Sequence, residues 1–140
     1  MAGKIVADTL EHSTAGSIAT NYVVEGSAKS WANFNGTGTI ASRDSLNVSG
    51  LVDNAVGDYT CTYTSSMGNS DYVNSSVAMC EDANARGPFA LGVRIDGTGV
   101  PTTHTTTATR YEYLYGSSAG ADGGTQDTPH LYIIVHGDLA

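Results

Sequence analysis

The chain has 140 residues and a formal net charge of −8, with 14 Asp and Glu residues against 6 Lys and Arg residues. That length predicts a single domain. The acidic balance excludes a basic nucleic-acid-binding surface, because no stripe of Lys and Arg is present to displace counterions from phosphates.

Membrane insertion and secretion are not indicated either. No apolar run in the sequence is long enough to cross a bilayer. The N-terminal segment also lacks the apolar core of a signal peptide. We therefore expect synthesis in a cytoplasm.

The supply of large apolar side chains is small. Leu, Ile, Val and Phe together make up 26 of the 140 residues, a share at which highly charged chains tend towards disorder. Eight Tyr residues and one Trp oppose disorder because they bury large areas. The apolar residues also recur with two-residue periodicity. We expect an ordered β domain whose marginal core gains further burial by self-association.

The predicted elements are short strands, most of which end at Gly, Asn or Asp turn signals. Helix signals are almost absent, since 17 Gly residues and 31 Ser and Thr residues interrupt the spacing of a helix. Only segment 75–86 offers a short helical turn. In chain order, the predicted strands span residues 4–7, 18–24, 29–33, 37–43, 46–51, 58–64, 72–79, 89–95, 102–115 and 131–136.

Two dipeptides predict tight turns between these strands. Asn35-Gly36 is typical of a type I′ hairpin turn, because both residue types tolerate positive φ. Asp96-Gly97 gives a second turn signal after strand 89–95.

Nine to ten short strands predict an all-β fold, a single antiparallel β-sandwich or jelly-roll-like domain with little or no helix. Residues 25–140 would form the sandwich, and residues 1–24 an N-terminal arm with the first strands, suited to assembly or attachment. Strand 131–136 is the most apolar and is predicted to be central or buried on both faces. Trp31 is the candidate core anchor.

Neither catalysis nor a resident metal is indicated. The chain has no His-Glu-x-x-His zinc motif and no phosphate-binding loop, and we expect no enzyme activity and no cofactor. Of the four histidines, His130 and His136 share a strand face but lie too far apart to bind one metal within a chain. A metal on the symmetry axis of three copies is the alternative to surface histidines.

Two further pairs of residues leave alternatives open. Cys61 and Cys80 are expected to be reduced, half-buried side chains, with a disulfide as the alternative. Asp122 and Asp127, in the Gly-rich loop 116–129, offer oxygen ligands for calcium. Because no calcium-binding motif surrounds them, a solvated loop is the preferred interpretation.

Tyr111, Tyr113 and Tyr115 share one face of strand 102–115. They form either a core-facing row under the opposite sheet or an aromatic surface for subunit contact or sugar recognition. Asp122 and Asp127 would belong to the same surface, because binding residues concentrate on loops held by a rigid frame.

Residues 29–60 and the C-terminal segment carry a sequence pattern that recurs in other proteins. Its residues are Lys29-Ser30-Trp31, Asn33-Phe34-Asn35-Gly36-Thr37-Gly38-Thr39, Arg43-Asp44-Ser45-Leu46-Asn47-Val48-Ser49, Gly57-Asp58-Tyr59-Thr60 and segment 131–140. This pattern resembles small tail-fibre and head-decoration proteins of tailed bacteriophages, especially those of marine and cyanobacterial phages.

The resemblance implies a virion surface protein that is commonly trimeric, has no catalytic residues and assembles in the host cytoplasm. Its partners would be further copies of itself and other virion proteins. We expect a fibre-like protein that contributes to attachment to the host surface, where a glycan is a candidate partner. A capsid decoration (cement) protein is the alternative, and a bacterial carbohydrate-binding module is a third interpretation.

Overall fold

The computed structural model describes residues 3, 5–79, 89–115 and 124–140. Within them, antiparallel sheets pack together in a β-sandwich, which confirms the predicted fold class. The described elements are β1 (Thr9–His12), β2 (Gly16–Ala19), α1 (Thr20–Gly26), β3 (Ala28–Asn35), β4 (Ala41–Leu46), β5 (Val48–Ala55), β6 (Asp58–Tyr63), β7 (Val73–Ala78), β8 (Phe89–Val93), β9 (Ala108–Tyr115), β10 (Gly124–Thr125) and β11 (Leu131–His136).

Two antiparallel sheets form the sandwich. The first has the strand order β4-β3-β11-β7, and the second has the order β10-β9-β6-β5 with β8 also paired to β9. The chain crosses from the first sheet to the second at Asn47, between β4 and β5. At the opposite edge, Ser76 Oγ of β7 donates a hydrogen bond of 2.5 Å to the carbonyl of Leu91 in β8.

Asn47 holds the crossover in place. Its backbone is left-handed, with φ 55°, a conformation that Asn tolerates better than most residues. Its side-chain amide donates to the carbonyls of Lys29 (3.0 Å) and Ser65 (3.1 Å), and its Oδ1 accepts from the Ser65 backbone N–H (2.6 Å). One side chain thus ties together the start of β3, the crossover and the segment after β6.

The core lies between the sheets and follows the two-residue period of the strands. In β6, Tyr59, Cys61 and Tyr63 are buried while Thr60 and Thr62 are only half-buried, as the alternation predicted. The buried apolar residues are Ala32, Phe34, Tyr59, Cys61, Tyr63, Met67, Tyr72, Leu91, Tyr111, Tyr113, Leu131, Ile133 and Val135.

Strand β11 is central, because it pairs with β3 on one side and β7 on the other. The prediction that this strand is central is therefore confirmed, whereas its alternative, burial on both faces, does not hold. Leu131, Ile133 and Val135 face the core, whereas Ile134 is exposed. No second layer covers that face among the described residues, so only alternate residues of this apolar run are buried.

The N-terminal region departs from the predicted strands. β1 and β2 form a separate two-stranded sheet in which Leu10 pairs with Ile18, and segment 20–24, predicted as strand, belongs to α1. The last β1–β2 pair is Thr9 with Ala19. One further backbone hydrogen bond follows, from the Thr20 N–H to the Asp8 carbonyl at 2.8 Å. Beyond it the chain enters α1, whose backbone groups are satisfied within the helix. At the other doubtful segment, residues 73–78 form β7 rather than a helical turn.

The Asn35-Gly36 prediction of a type I′ turn was wrong. β3 ends at Asn35 and β4 begins at Ala41, and the positive φ of the connecting loop lies at Gly38 (64°). A side chain at Gly36 would instead collide with the Tyr59 ring and approach Leu131 Cδ1 to 2.6 Å. Gly36 is therefore required for close packing rather than for turn geometry.

Trp31 is not a core anchor. Ser30 and Ala32, the residues on either side of Trp31 in β3, are buried, so Trp31 points to the outer face, where it is half-buried. It pairs with Leu46 of β4 and Ile134 of β11. The apolar character of Trp suggested the core, but the parity of the strand decided otherwise.

Because Phe34 points inward and Trp31 points outward, we expect their substitution to lower stability by different amounts. Phe34 is fully buried and packs edge-to-face on Tyr59 with ring centroids 5.6 Å apart, so Phe34→Ala should lower the free energy of unfolding by about 3–5 kcal/mol. Trp31→Ala leaves no internal cavity and should cost only about 1 kcal/mol. Urea unfolding of the two variants measures the difference, and a larger loss for Trp31→Ala would contradict the outward placement.

Candidate functional site

The tyrosine stripe lies mostly inside the sandwich. Tyr111 and Tyr113 are buried in the core, whereas Tyr115 at the end of β9 is half-buried. Tyr111 Oη donates to Asn74 Oδ1 at 2.6 Å, across to β7 of the other sheet. This corrects the contact-surface interpretation for Tyr111 and Tyr113, because side chains covered by the opposite sheet cannot meet a partner.

Asp127 anchors its loop to the sandwich. Its Oδ1 accepts hydrogen bonds from the Gly57 backbone N–H (2.7 Å) and from Tyr59 Oη (2.9 Å). Gly57 has φ 68°, and a side chain there would lie 2.9 Å from backbone atoms of Gln126 and Tyr113. The two segments therefore fit closely, and Asp127 serves as an internal acceptor. Asp122 lies outside the described residues.

Burial and the neighbouring carboxylate act together on Tyr59. Desolvation raises the pKa of its hydroxyl, and the hydrogen bond to Asp127 and the charge of that residue raise the pKa further. The hydroxyl therefore stays protonated and remains a donor to Asp127. This geometry stabilises the fold and provides no reactive phenolate.

A second buried network connects Tyr63, Tyr72 and Thr109. Thr109 Oγ1 lies 2.8 Å from Tyr63 Oη and 2.6 Å from Tyr72 Oη, and Tyr72 Oη donates to the Thr105 carbonyl at 2.7 Å. Each hydroxyl has one proton, so the network has a natural direction from Tyr63 through Thr109 and Tyr72 to the carbonyl. All three hydroxyls are occupied, which leaves no free nucleophile in the network.

Asp58 is the centre of an ion-pair network at the start of β6. Arg110 makes a bidentate contact with it, with Nε–Oδ1 and Nη2–Oδ2 distances of 2.7 and 2.6 Å. Arg94 Nε lies 3.3 Å from Asp58 and 3.4 Å from Glu112. Two guanidinium groups and two carboxylates thus neutralise one another, and this network offers no net charge to a ligand.

Both metal alternatives that the sequence left open stay open, because one needs three copies of the chain and the other includes Asp122, which lies outside the described residues. No group of three His, Cys, Asp or Glu side chains in the described ranges is arranged to hold a metal ion. The ring centroids of His104 and Tyr72 lie 4.3 Å apart with the rings tilted by 46°, and buried His130 Nδ1 lacks a hydrogen-bond partner within that part of the chain. Cys61 is free and buried, and Cys80 lies outside the described residues, so the reduced state expected for Cys80 stays a prediction.

Residues 116–120 read Gly-Ser-Ser-Ala-Gly, a match to Gly-x-Ser-x-Gly that lies outside the described residues. That pattern marks a nucleophile at the strand-to-helix turn of a parallel α/β sheet. The pairs of this sandwich are antiparallel, including the β9–β10 pair that flanks the segment. The pattern by itself therefore does not indicate a hydrolase.

A cleft of about 990 Å³ lies between α1 and the sandwich. We call it the apolar cleft. Val23 and Val24 of α1 line one side, and Leu46 and Leu139 of the sandwich line the other. Lys29 and Asp138 are the charged residues among the described residues that line it, and their charges balance.

Lys29 connects α1 to the sandwich beneath the apolar cleft. The residue is only 8% exposed. Its ammonium group donates to the carbonyls of Val24 and Ser27 and to Ser27 Oγ, the last at 3.0 Å. A cation at the C-terminal end of a helix also complements the helix dipole. Lys29 thus stabilises the junction between α1 and β3.

An apolar row continues from the cleft across the outer face of the first sheet. Leu46, Trp31 and Ile134 are aligned by the register of β4, β3 and β11. Leu46 is 47% exposed and Ile134 is 42% exposed. Because Leu46 also lines the cleft, the cleft and the outer row form one continuous apolar surface, a feature typical of interaction sites.

The N-terminal arm was predicted as residues 1–24, and in the structure the name covers residues 5–26, up to the end of α1. It is itself apolar and exposed. Leu10 and Ile18, which face each other across β1 and β2, are both 46% exposed. Ile5, Val6 and Tyr22 are exposed further. No residue of α1 is buried, and no side chain caps its N-terminus. This arm is the second component of the candidate site.

This surface could be predicted from the sequence only in part. The sequence predicted an arm for assembly, but it assigned Trp31 to the core and did not single out Leu46, Ile134 or Lys29. A register for β3, β4 and β11 would have placed the three apolar residues together. That register depends on long-range pairing and cannot be read locally.

Comparisons with known proteins add no relatives, since no family model, curated protein or solved structure matches this chain. In the part of the chain that the structure describes, no helix has the length and apolar character needed to span a membrane.

The Tyr59–Asp127 contact should be stronger than a hydrogen bond between neutral groups. Tyr59→Phe and Asp127→Ala should each destabilise the fold, and their double-mutant cycle should give a coupling of about 1.5–3 kcal/mol. Tyr63→Phe is the control and should cost about 1 kcal/mol, because Thr109 keeps its bond to Tyr72. Chemical unfolding measures all four variants, and additive effects at Tyr59 and Asp127 would refute the coupling.

Because several ionisable side chains are buried, we expect the protein to lose stability at alkaline pH. Burial raises the pKa of the Cys61 thiol to about 12 and also raises the pKa values of Tyr63 and Tyr111. An unfolded thiol ionises near pKa ~8.5 and an unfolded Tyr near ~10. The unfolded chain therefore releases protons that the folded chain retains, so stability should be full below about pH 8 and fall as pH rises.

Urea unfolding across this pH range, with tyrosinate absorbance as a second signal, checks the prediction. Cys61→Ala is the matched variant and should remove only the earliest part of the loss. A free energy of unfolding that stays constant to about pH 11 would contradict the prediction.

Proposed function

We propose that this protein is a structural component of a tailed-phage virion, a fibre-like surface protein that works as a homotrimer and contributes to attachment to the host surface. The observation that carries the proposal is the distribution of exposed apolar residues. Ten of the 18 large apolar side chains that are exposed in the described part of the chain lie on the N-terminal arm, the apolar cleft or the outer row of the first sheet. Such a surface is suited to contact with other protein subunits.

The interior supports a scaffold role. The hydroxyls of Tyr59, Tyr63, Tyr72 and Tyr111 are occupied by internal hydrogen bonds. Asp127 and Asp58 are likewise engaged with groups of the same chain. These polar side chains stabilise the sandwich, and the resemblance of segment 29–60 to phage fibre-like proteins supplies the biological setting.

A capsid decoration protein is the second candidate. The arm forms its own small sheet, and Lys29 is a main point at which it is held to the sandwich. An arm of this kind suits a protein that clamps neighbouring shell subunits. A carbohydrate-binding module has less support, because Tyr111 and Tyr113, the aromatic residues proposed for sugar contact, are buried.

Light scattering of the full chain tests the assembly. We expect a particle of three copies of the 14.4 kDa chain at micromolar concentration. A stable monomer under these conditions would contradict the homotrimer. Bovine serum albumin at the same concentration calibrates the measured mass.

Quantitative mass spectrometry of purified virions tests the location. We expect the protein in the particle, in a small fixed number relative to the major capsid protein. A number comparable to that of capsid subunits would instead indicate decoration, and absence from particles would overturn both. Retention of host polysaccharide by the purified protein would support a direct role in attachment.

A further inference from the structure

We propose that the N-terminal arm of a second copy of this chain docks on the apolar cleft and the adjoining outer row, so that copies join arm to sandwich. This inference rests on the self-association in the proposed function and names the surface that performs it. Each copy would offer one arm and accept another. Such contacts are heterologous and close into a ring when the rotation allows it, as in a trimer.

The first argument is that the arm gains little stability from its own chain. α1 has seven residues, no side-chain cap, no acidic residue in its first turn and no basic residue in its last turn. Isolated helices of this length are unstable in water. The two-stranded β1–β2 sheet is also below the size that is stable alone. A partner surface would provide the missing burial.

The second argument is continuity of the apolar surface. A further cleft of about 470 Å³ is lined by Ile5, Val6, Leu10, Val23 and Val24, among others. Val23 and Val24 also line the apolar cleft, and Leu46 continues that cleft into the outer row. Arm and sandwich therefore form a single apolar band.

The third argument is charge. Asp8, Glu11 and Glu25 lie on the arm, and the described side chains form no ion pair with any of them. Arg43 is exposed on the edge strand β4, three residues before Leu46, and belongs to no ion pair among the described residues. Arg94 and Arg110 are already engaged by Asp58 and Glu112. Arg43 Nη1 also donates to Asn33 Oδ1 at 3.5 Å, and the exposed Asp44 follows it on β4. The outer face therefore offers the acidic arm one exposed cation, and the charge contribution to the contact is limited to Arg43.

Two full-length variants separate the components. The arm variant carries Leu10→Asp and Ile18→Asp, and the surface variant carries Leu46→Asp. The control is Val52→Asp, since Val52 is 50% exposed on β5 of the other sheet. We expect the arm and surface variants to associate roughly 30-fold more weakly or worse, as for hot-spot residues, and the control to match the wild type in sedimentation equilibrium.

Mixing the two defective variants gives the decisive result. The surface variant retains a working arm and the arm variant retains a working cleft, so the mixture should form a one-to-one complex that neither variant forms alone. Failure of the mixture to pair would overturn the arm-to-cleft contact. Pairing of the arm variant with itself would do the same, because it would indicate contact between identical sheet faces.

Circular dichroism verifies that each variant is folded, and Arg43→Glu provides a second surface variant that leaves the apolar residues intact. It should weaken assembly at low salt and have less effect at high salt. If the wild type, the arm variant and the surface variant each assemble fully, this inference is refuted but the proposed function stands. A monomeric wild type would overturn the inference and the homotrimer together.

Discussion

The structure depends on one constraint: a tyrosine placed in a core must find a hydrogen-bond partner for its hydroxyl. This chain has few aliphatic residues, and Tyr supplies much of the buried volume. An unpaired buried hydroxyl costs more than a paired one contributes. Asp127, Thr109 and Asn74 provide the partners here. Each partner comes from a different segment, so satisfying the hydroxyls also fixes how those segments pack.

The same constraint explains the unusual role of several polar residues. Asp127, a candidate site residue in the sequence, accepts hydrogen bonds from the Gly57 N–H and Tyr59 Oη, and Thr109 Oγ1 accepts from Tyr63 Oη. Close packing follows from this arrangement, because the segment that bears Asp127 must lie against Gly57 and leave no room for a side chain there. Because these interior polar groups are occupied by internal contacts, the surface residues are the better candidates for contact with a partner.

The side chains exposed outside the core include apolar ones as well as acidic ones. Leu46, Trp31 and Ile134 could not join the core, because their neighbours Ser45, Ala32 and Ile133 occupy the inward positions of the same strands. Their exposure is a direct consequence of strand pairing with one covered face. A surface that combines such a row with an exposed apolar arm is the structural basis for proposing assembly as the function.

The sequence by itself determined the fold class and the inward residues of β6, since two-residue periodicity and turn residues are local signals. It misassigned Trp31 to the core and segment 20–24 to a strand, and it left open whether Tyr111 faces the core or an outer surface. Only the tertiary structure decided these, because the face of a strand and the fate of an unpaired segment depend on which distant strand lies beside it. The candidate surface was likewise decided by the tertiary structure, because strand register brings its residues together.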